Sequence, residues 1–227
     1  MRQGARAAAS FSTQSPRSYT TTFSASETPI SESGAWENIG LDWTLVNTSG
    51  GVAFGTQGTG GGFDDSYANL SGVWPADQEI TATVFKGTTA NIQEVELRFR
   101  CNDSVHRSDC YEINFAHDGQ YVDFVRWPGP IGTGIGDFTF LVPSQTFTIS
   151  GGVNNGDVIK GRIQGNTLSA WIDKGSGFAF IGSASDTAGP GGGAVLTVGR
   201  PGMGFYRGST GGAMNQYCFT DYTAVSL

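Results

Sequence analysis

Residues 94–100 read EVELRFR, and residues 111–127 read YEINFAHDGQYVDFVRW. In the first stretch Val95, Leu97 and Phe99 alternate with Glu94, Glu96, Arg98 and Arg100, the period of two that a strand with one apolar face requires. In the second, Tyr111, Ile113 and Phe115 alternate with Glu112 and Asn114, and Asp118-Gly119 marks a tight hairpin into a third strand. Pairing outward from that turn matches positions whose numbers sum to 237: Phe115 with Val122, Ile113 with Phe124, Asn114 with Asp123 and Glu112 with Val125. One face of the three strands is therefore core. The other collects Glu94, Glu96, Arg98, Arg100, Glu112, Asn114, Tyr121, Asp123 and Trp127, a dense polar and aromatic set for a chain only 15% charged.

The same signals recur on both sides. Trp36 to Val46, Val52 to Phe54, SYANLSGVW and QEITATVF read as strands, and DVIKGRIQGNTLSAWIDKGSGFAFIGS reads as two strands joined at Gly165-Asn166 with a third at FAFIG. Thirty-five Gly and eight Pro fit short strands joined by tight turns and disfavour helices. The glycine run GTQGTGGG lacks a following helix and the Lys-Ser/Thr pair of a phosphate loop, so it reads as a plain loop. The expected fold class is all-β, a two-sheet antiparallel sandwich spanning 23–227 and entered at Phe23. Residues 1–22, rich in Ser, Thr and Ala, are expected to form an extended N-terminal arm that adds little to the core.

Charge is uneven: the chain carries 13 Lys and Arg against 20 Asp and Glu, yet residues 1–17 hold three Arg and no acid. An acidic body disfavours nucleic acid as its partner, whereas the arm could dock on other protein chains of an assembly. No apolar run is long enough for a membrane span, and the N-terminus shows no apolar signal-peptide core; export would then follow removal of a leader or release within a virus particle. Cys101 and Cys110 bracket a polar loop; their parity puts them on opposite strand faces, so bridging would need a bulge, and both states stay open.

The segment DVIKGRIQGNTLSAWID resembles the strand-turn-strand "kv…dGntl.v.v" of the concanavalin A-like lectin/glucanase superfamily, and GMGFY followed by FTDYTAVSL adds to the likeness. The resemblance implies a jelly roll. Many members bind a structural calcium, for which Asp64, Asp65 and Asp221 are the candidate ligands. Laminarinase-like members carry E-x-D-x-x-E on one strand, whereas Glu94 and Glu96 lack the central Asp and the last Glu. Alginate lyase-like members carry R-[ST]-E-L-R, similar to Glu94 to Arg98, but their other motifs do not appear, and neither His106 nor His117 is placed as a general base.

With no complete acid/base set, the first expectation is non-catalytic binding of a polysaccharide or glycan at an extracellular, virion or cell surface. Its ligand-binding residues would be Arg98, Arg100, Glu112, Asn114, Tyr121, Asp123 and Trp127, with Trp127 either the stacking anchor or a ring packed under Pro128-Gly129-Pro130. Two other readings stay open: a structural or decoration protein held to an assembly by its arm, and a polysaccharide lyase or glycoside hydrolase.

Overall fold

The structure is a computed structural model that describes residues 15–38, 45–58, 65–117, 120–130, 137–187 and 194–227. Two antiparallel sheets contain all its strands. One sheet runs β14 (Phe178–Ser185), β13 (Thr167–Asp173), β12 (Val158–Gln164), β6 (Gln78–Lys86), β16 (Tyr217–Ser226), β4 (Val52–Gly55) and β3 (Val46–Ser49), with β1 (Ser18–Thr21) also pairing β16. The other runs β10 (Thr139–Phe140), β9 (Tyr121–Pro130), β8 (Arg107–Ala116), β7 (Gln93–Cys101), β15 (Arg200–Arg207), β5 (Ser66–Leu70) and β2 (Trp36–Glu37), with β11 (Phe147–Thr148) pairing β9. No helix among the described residues is long and apolar enough to cross a membrane.

The alternation read from the sequence sets the central hairpin. Phe115 pairs with Val122, Ile113 with Phe124 and Asn114 with Asp123, the register that sums to 237. The Asp118-Gly119 turn lies outside the described residues. Val95, Leu97, Phe99, Ile113, Phe115, Val122 and Phe124 are all fully buried and form the inner face. They pack on the inner face of the opposite sheet, where Ile80, Ala82, Val84, Ile159, Leu168 and Tyr222 alternate with outward residues. The sheets approach closely over Gly161: a Cβ there would stand 2.8 Å from Phe99 Cζ and 2.9 Å from Ile113 Cδ1. A glycine in mid-strand is tolerated because it admits these side chains.

At four places the structure adds to or alters the sequence reading. The stretch Trp36 to Val46 is not one strand: Trp36–Glu37 belongs to the sheet of β7–β9, Val46–Ser49 to the opposite sheet, and 39–44 lie outside the described residues. Ser18–Thr21, expected within the arm, pairs with Tyr222–Val225, and partly buried Tyr19 packs on the core edge-on to Trp36 at 5.7 Å. Two-residue β10 and β11, too short for an alternation signal, cover the outer edge of β9. Finally, Arg100 sits at φ 51° in a bulge; beyond it Asn102 N donates to Asp109 O, so Cys101 turns to the face that carries Cys110. Both remain free thiols.

Candidate functional site

The outer face of β7–β9 is polar, as its sequence implies, but it is buried. Arg98, at the centre, is fully inaccessible. Its Nε donates to Glu112 Oε1 at 2.9 Å, Nη1 to Asp103 Oδ2 at 3.2 Å, and Nη2 to Ser108 Oγ at 3.0 Å and Cys110 Sγ at 2.9 Å; its guanidinium lies 4.7 Å over the Tyr67 ring. A guanidinium so surrounded has no donor to spare for a ligand. Arg98, expected to bind ligand, instead holds the face together from beneath.

Room for this layer comes from β15. Gly202 and Gly204 point their missing side chains at the same face, where a Cβ would collide with Asn69 Oδ1 and Glu96 Oε2 respectively. Met203 and Phe205 between and beyond them turn inward to the core.

Arg100 leaves the face altogether. The bulge redirects it to the sheet edge, where its Nε donates to Ala76 O at 2.7 Å, Nη1 to Leu196 O at 2.6 Å and Nη2 to Asp77 Oδ1 at 3.2 Å. Identical period-two placement in the sequence therefore hides two different fates for Arg98 and Arg100.

Over β8 and β9 opens a pocket of about 210 Å³. Glu112, Asn114, Tyr121, Asp123 and Trp127, all singled out from sequence, line it together. Glu94, Asp65, Ser144, Tyr206, Phe138 and Phe140 complete the lining. Glu94 was visible on the polar face; Phe138 and Phe140 carried only a three-residue alternation.

The groups are unequal in what they leave free. Asp123 accepts from Ser144 Oγ and Gln145 N, both at 2.6 Å, and so ties down the segment after β10. The Tyr121 hydroxyl donates to Glu94. Burial, against that hydrogen bond and with the Asp123 and Glu112 carboxylates adding to it, raises the Glu94 carboxyl to about 7. Burial also lifts Glu112, opposed first by Arg98 and then by the Trp127 indole N–H. Glu96, fully inaccessible and surrounded by the Asp65, Glu112 and Glu94 carboxylates, is pushed well above the ordinary carboxylate range, chiefly by burial. Asn114 Oδ1 has no hydrogen-bond partner among the described residues.

Trp127 is not an open stacking platform. It is 2% exposed and packs on Phe138 at a ring separation of 5.1 Å, in a cluster with Tyr67, Cys101, Cys110 and Val125. Phe138 and Phe140, 5.3 Å apart and partly exposed, offer the accessible aromatic wall in its place.

Of the expected calcium ligands, Asp65, which directly precedes β5, and Asp221 lie on opposite sheets. Asp65 lies in this pocket, whereas Asp221 sits in β16 of the opposite sheet and accepts from Thr83 N at 3.1 Å. Asp64 lies outside the described residues.

By sequence the chain matches no protein-family model and no curated protein. In three dimensions it is similar to the carbohydrate binding module CBM66 from Bacillus subtilis, with 14% identity and a TM-score of 0.52 over 88% of this chain and 96% of that one. It is similar to the CBM2 module of the evolved Dit of Lactobacillus casei BL23 phage J-1, with 13% identity and a TM-score of 0.51 over 93% and 98%. The β-porphyranase BpGH16B from the human gut bacterium Bacteroides plebeius matches at 9% identity with a TM-score of 0.53 over 93% and 92%. These likenesses establish the fold, a two-sheet antiparallel jelly roll.

Proposed function

We propose that the domain binds a saccharide, without cleaving it, in the pocket over β8 and β9. The observation that carries this reading is the pairing of a partly exposed aromatic wall, Phe138 and Phe140, with an unpaired acceptor, Asn114 Oδ1, in one concave site. Sugars present an apolar ring face to aromatic groups and hydroxyl donors to such acceptors. Two similar solved structures, named as carbohydrate-binding and CBM modules, support it.

The charge of the site narrows the ligand class. Carboxylates of Asp65, Glu94, Glu112 and Asp123 surround the pocket, and the guanidinium of Arg98 is already engaged. Acceptors in this number suit neutral or amino sugars and oppose uronates and sulfated chains. Such glycans are displayed at cell and particle surfaces, which is where we place the domain.

A glycan array on the purified chain, followed by titration of the best neutral hit, tests the proposal. Phe140→Ala and Asn114→Ala should each weaken binding by roughly tenfold, as expected when a central contact is truncated, with melting little changed. Unchanged affinity in both variants would place the site elsewhere. A second reading, glycan cleavage, rests on Glu94, which lines the pocket and whose carboxyl burial raises to about 7. Recovery of the bound oligosaccharide intact after prolonged incubation separates the two.

A further inference from the structure

The carboxylates of Asp65 and Glu112, which line the pocket, and of Glu96 beside them each offer an oxygen, and these oxygens lie within 4.8 Å of one another. All three residues are buried, at 5%, 0% and 1% exposure. Glu96 is the informative member, because neither of its oxygens has a hydrogen-bond partner among the described residues. A buried carboxylate without a donor is strongly unfavourable. The guanidinium beside it is committed to Glu112, Asp103, Ser108 and Cys110.

The fold nevertheless makes space for this group. β15 places Gly204 against Glu96 Oε2, where any side chain would displace the carboxylate. Asn114, opposite Glu96 in the β7–β8 register, brings its unpaired Oδ1 to the same pocket. Asp65 and Glu112 line the pocket and Glu96 lies against them, so a small ligand that reaches the pocket meets two of the three carboxylates there.

We infer that Asp65, Glu96 and Glu112 bind one hard divalent cation, of the calcium, magnesium or manganese class. An all-oxygen ligand set selects hard ions over zinc or copper. A dication offsets the surplus of carboxylate charge and gives Glu96 the partner that the protein withholds. The site shares Asp65 with the set expected from sequence but draws its other ligands from β7 and β8, and it stands whether or not the pocket takes a sugar.

The test uses the full chain, stripped with a chelator and dialysed, then melted and titrated calorimetrically with Ca²⁺, Mg²⁺, Mn²⁺ and Zn²⁺. One hard ion should bind per chain and raise the melting temperature, and Tb³⁺ substituted for it should luminesce on excitation of the protein's tryptophans. Glu96→Gln keeps the shape of the side chain and should weaken the ion by roughly tenfold or more, since even groups behind a metal's ligands cost that much. Should that variant fail to fold, Asp65→Asn carries the same reading. Absence of any cation response would show carboxyls sharing protons and overturn the site. So would a response to Zn²⁺ alone, or ion affinity unchanged in the foldable variant.

Discussion

The two sheets turn very different outer faces to the surroundings. On β12–β14, Trp171 carries Lys160 Nζ at 4.8 Å and the Arg162 guanidinium at 5.3 Å over its ring, and Phe178 and Phe180 are 42% and 59% exposed. On β7–β9 the same residue types, an arginine and a tryptophan beside carboxylates, are sealed at 2% exposure or less. Solvent completes the first face, so each group there interacts weakly and nearly independently. The second must complete itself, and each of its groups answers for another.

Matched substitutions sharpen the contrast. Arg98→Ala should be the most damaging, by about 3–5 kcal/mol, because Glu112 and Asp103 are left buried without their cation. Denaturant unfolding measures it, and a loss below about 1 kcal/mol would show that the face is far wetter than its geometry indicates. Trp127→Ala should follow at about 3–5 kcal/mol through loss of packing on Phe138 and the cavity left behind. Trp171→Ala, on the open face, should lose only about 1 kcal/mol of ring burial and cation–π attraction. Smallest is Arg162→Ala, within about 0.5 kcal/mol although its Nε lies 2.8 Å from Glu79 Oε2, since that pair is partly exposed and screened by salt. Equal losses for Arg98→Ala and Arg162→Ala would break the comparison.

How much of this was legible in the sequence follows the same division. Alternation in EVELRFR and YEINF reports that two faces differ, and register then follows from one turn; hence the inner face and the pairings of Phe115 and Ile113 could be read directly. Alternation does not report whether the polar face meets water. That depends on segments distant in sequence, the stretch carrying Phe138, Phe140 and Ser144 and the strand carrying Gly204, whose contributions are contacts rather than patterns. Trp127, for which anchor and packed ring therefore both stood open, is the covered one. Arg100 failed for a local reason: one residue at φ 51° reverses facing for everything beyond it, and no composition marks an arginine for that conformation. The same bulge is why Cys101 and Cys110, assigned to opposite faces by parity, share one.

The pairing of β1 with β16 bears on how the domain can be carried. Arg17 N donates to Ser226 Oγ and Ser226 N to Arg17 O, both at 2.8 Å, so the two ends of the described fold leave side by side from the sheet that does not hold the pocket. A partner joined at either end of the described fold is attached on the sheet opposite the pocket, and a guest domain joined through both meets a single point of attachment. By the same geometry a linker of a few residues between 227 and 17 makes a circular permutant, opened in a surface turn such as Gly165-Asn166, whose pocket should form unaltered.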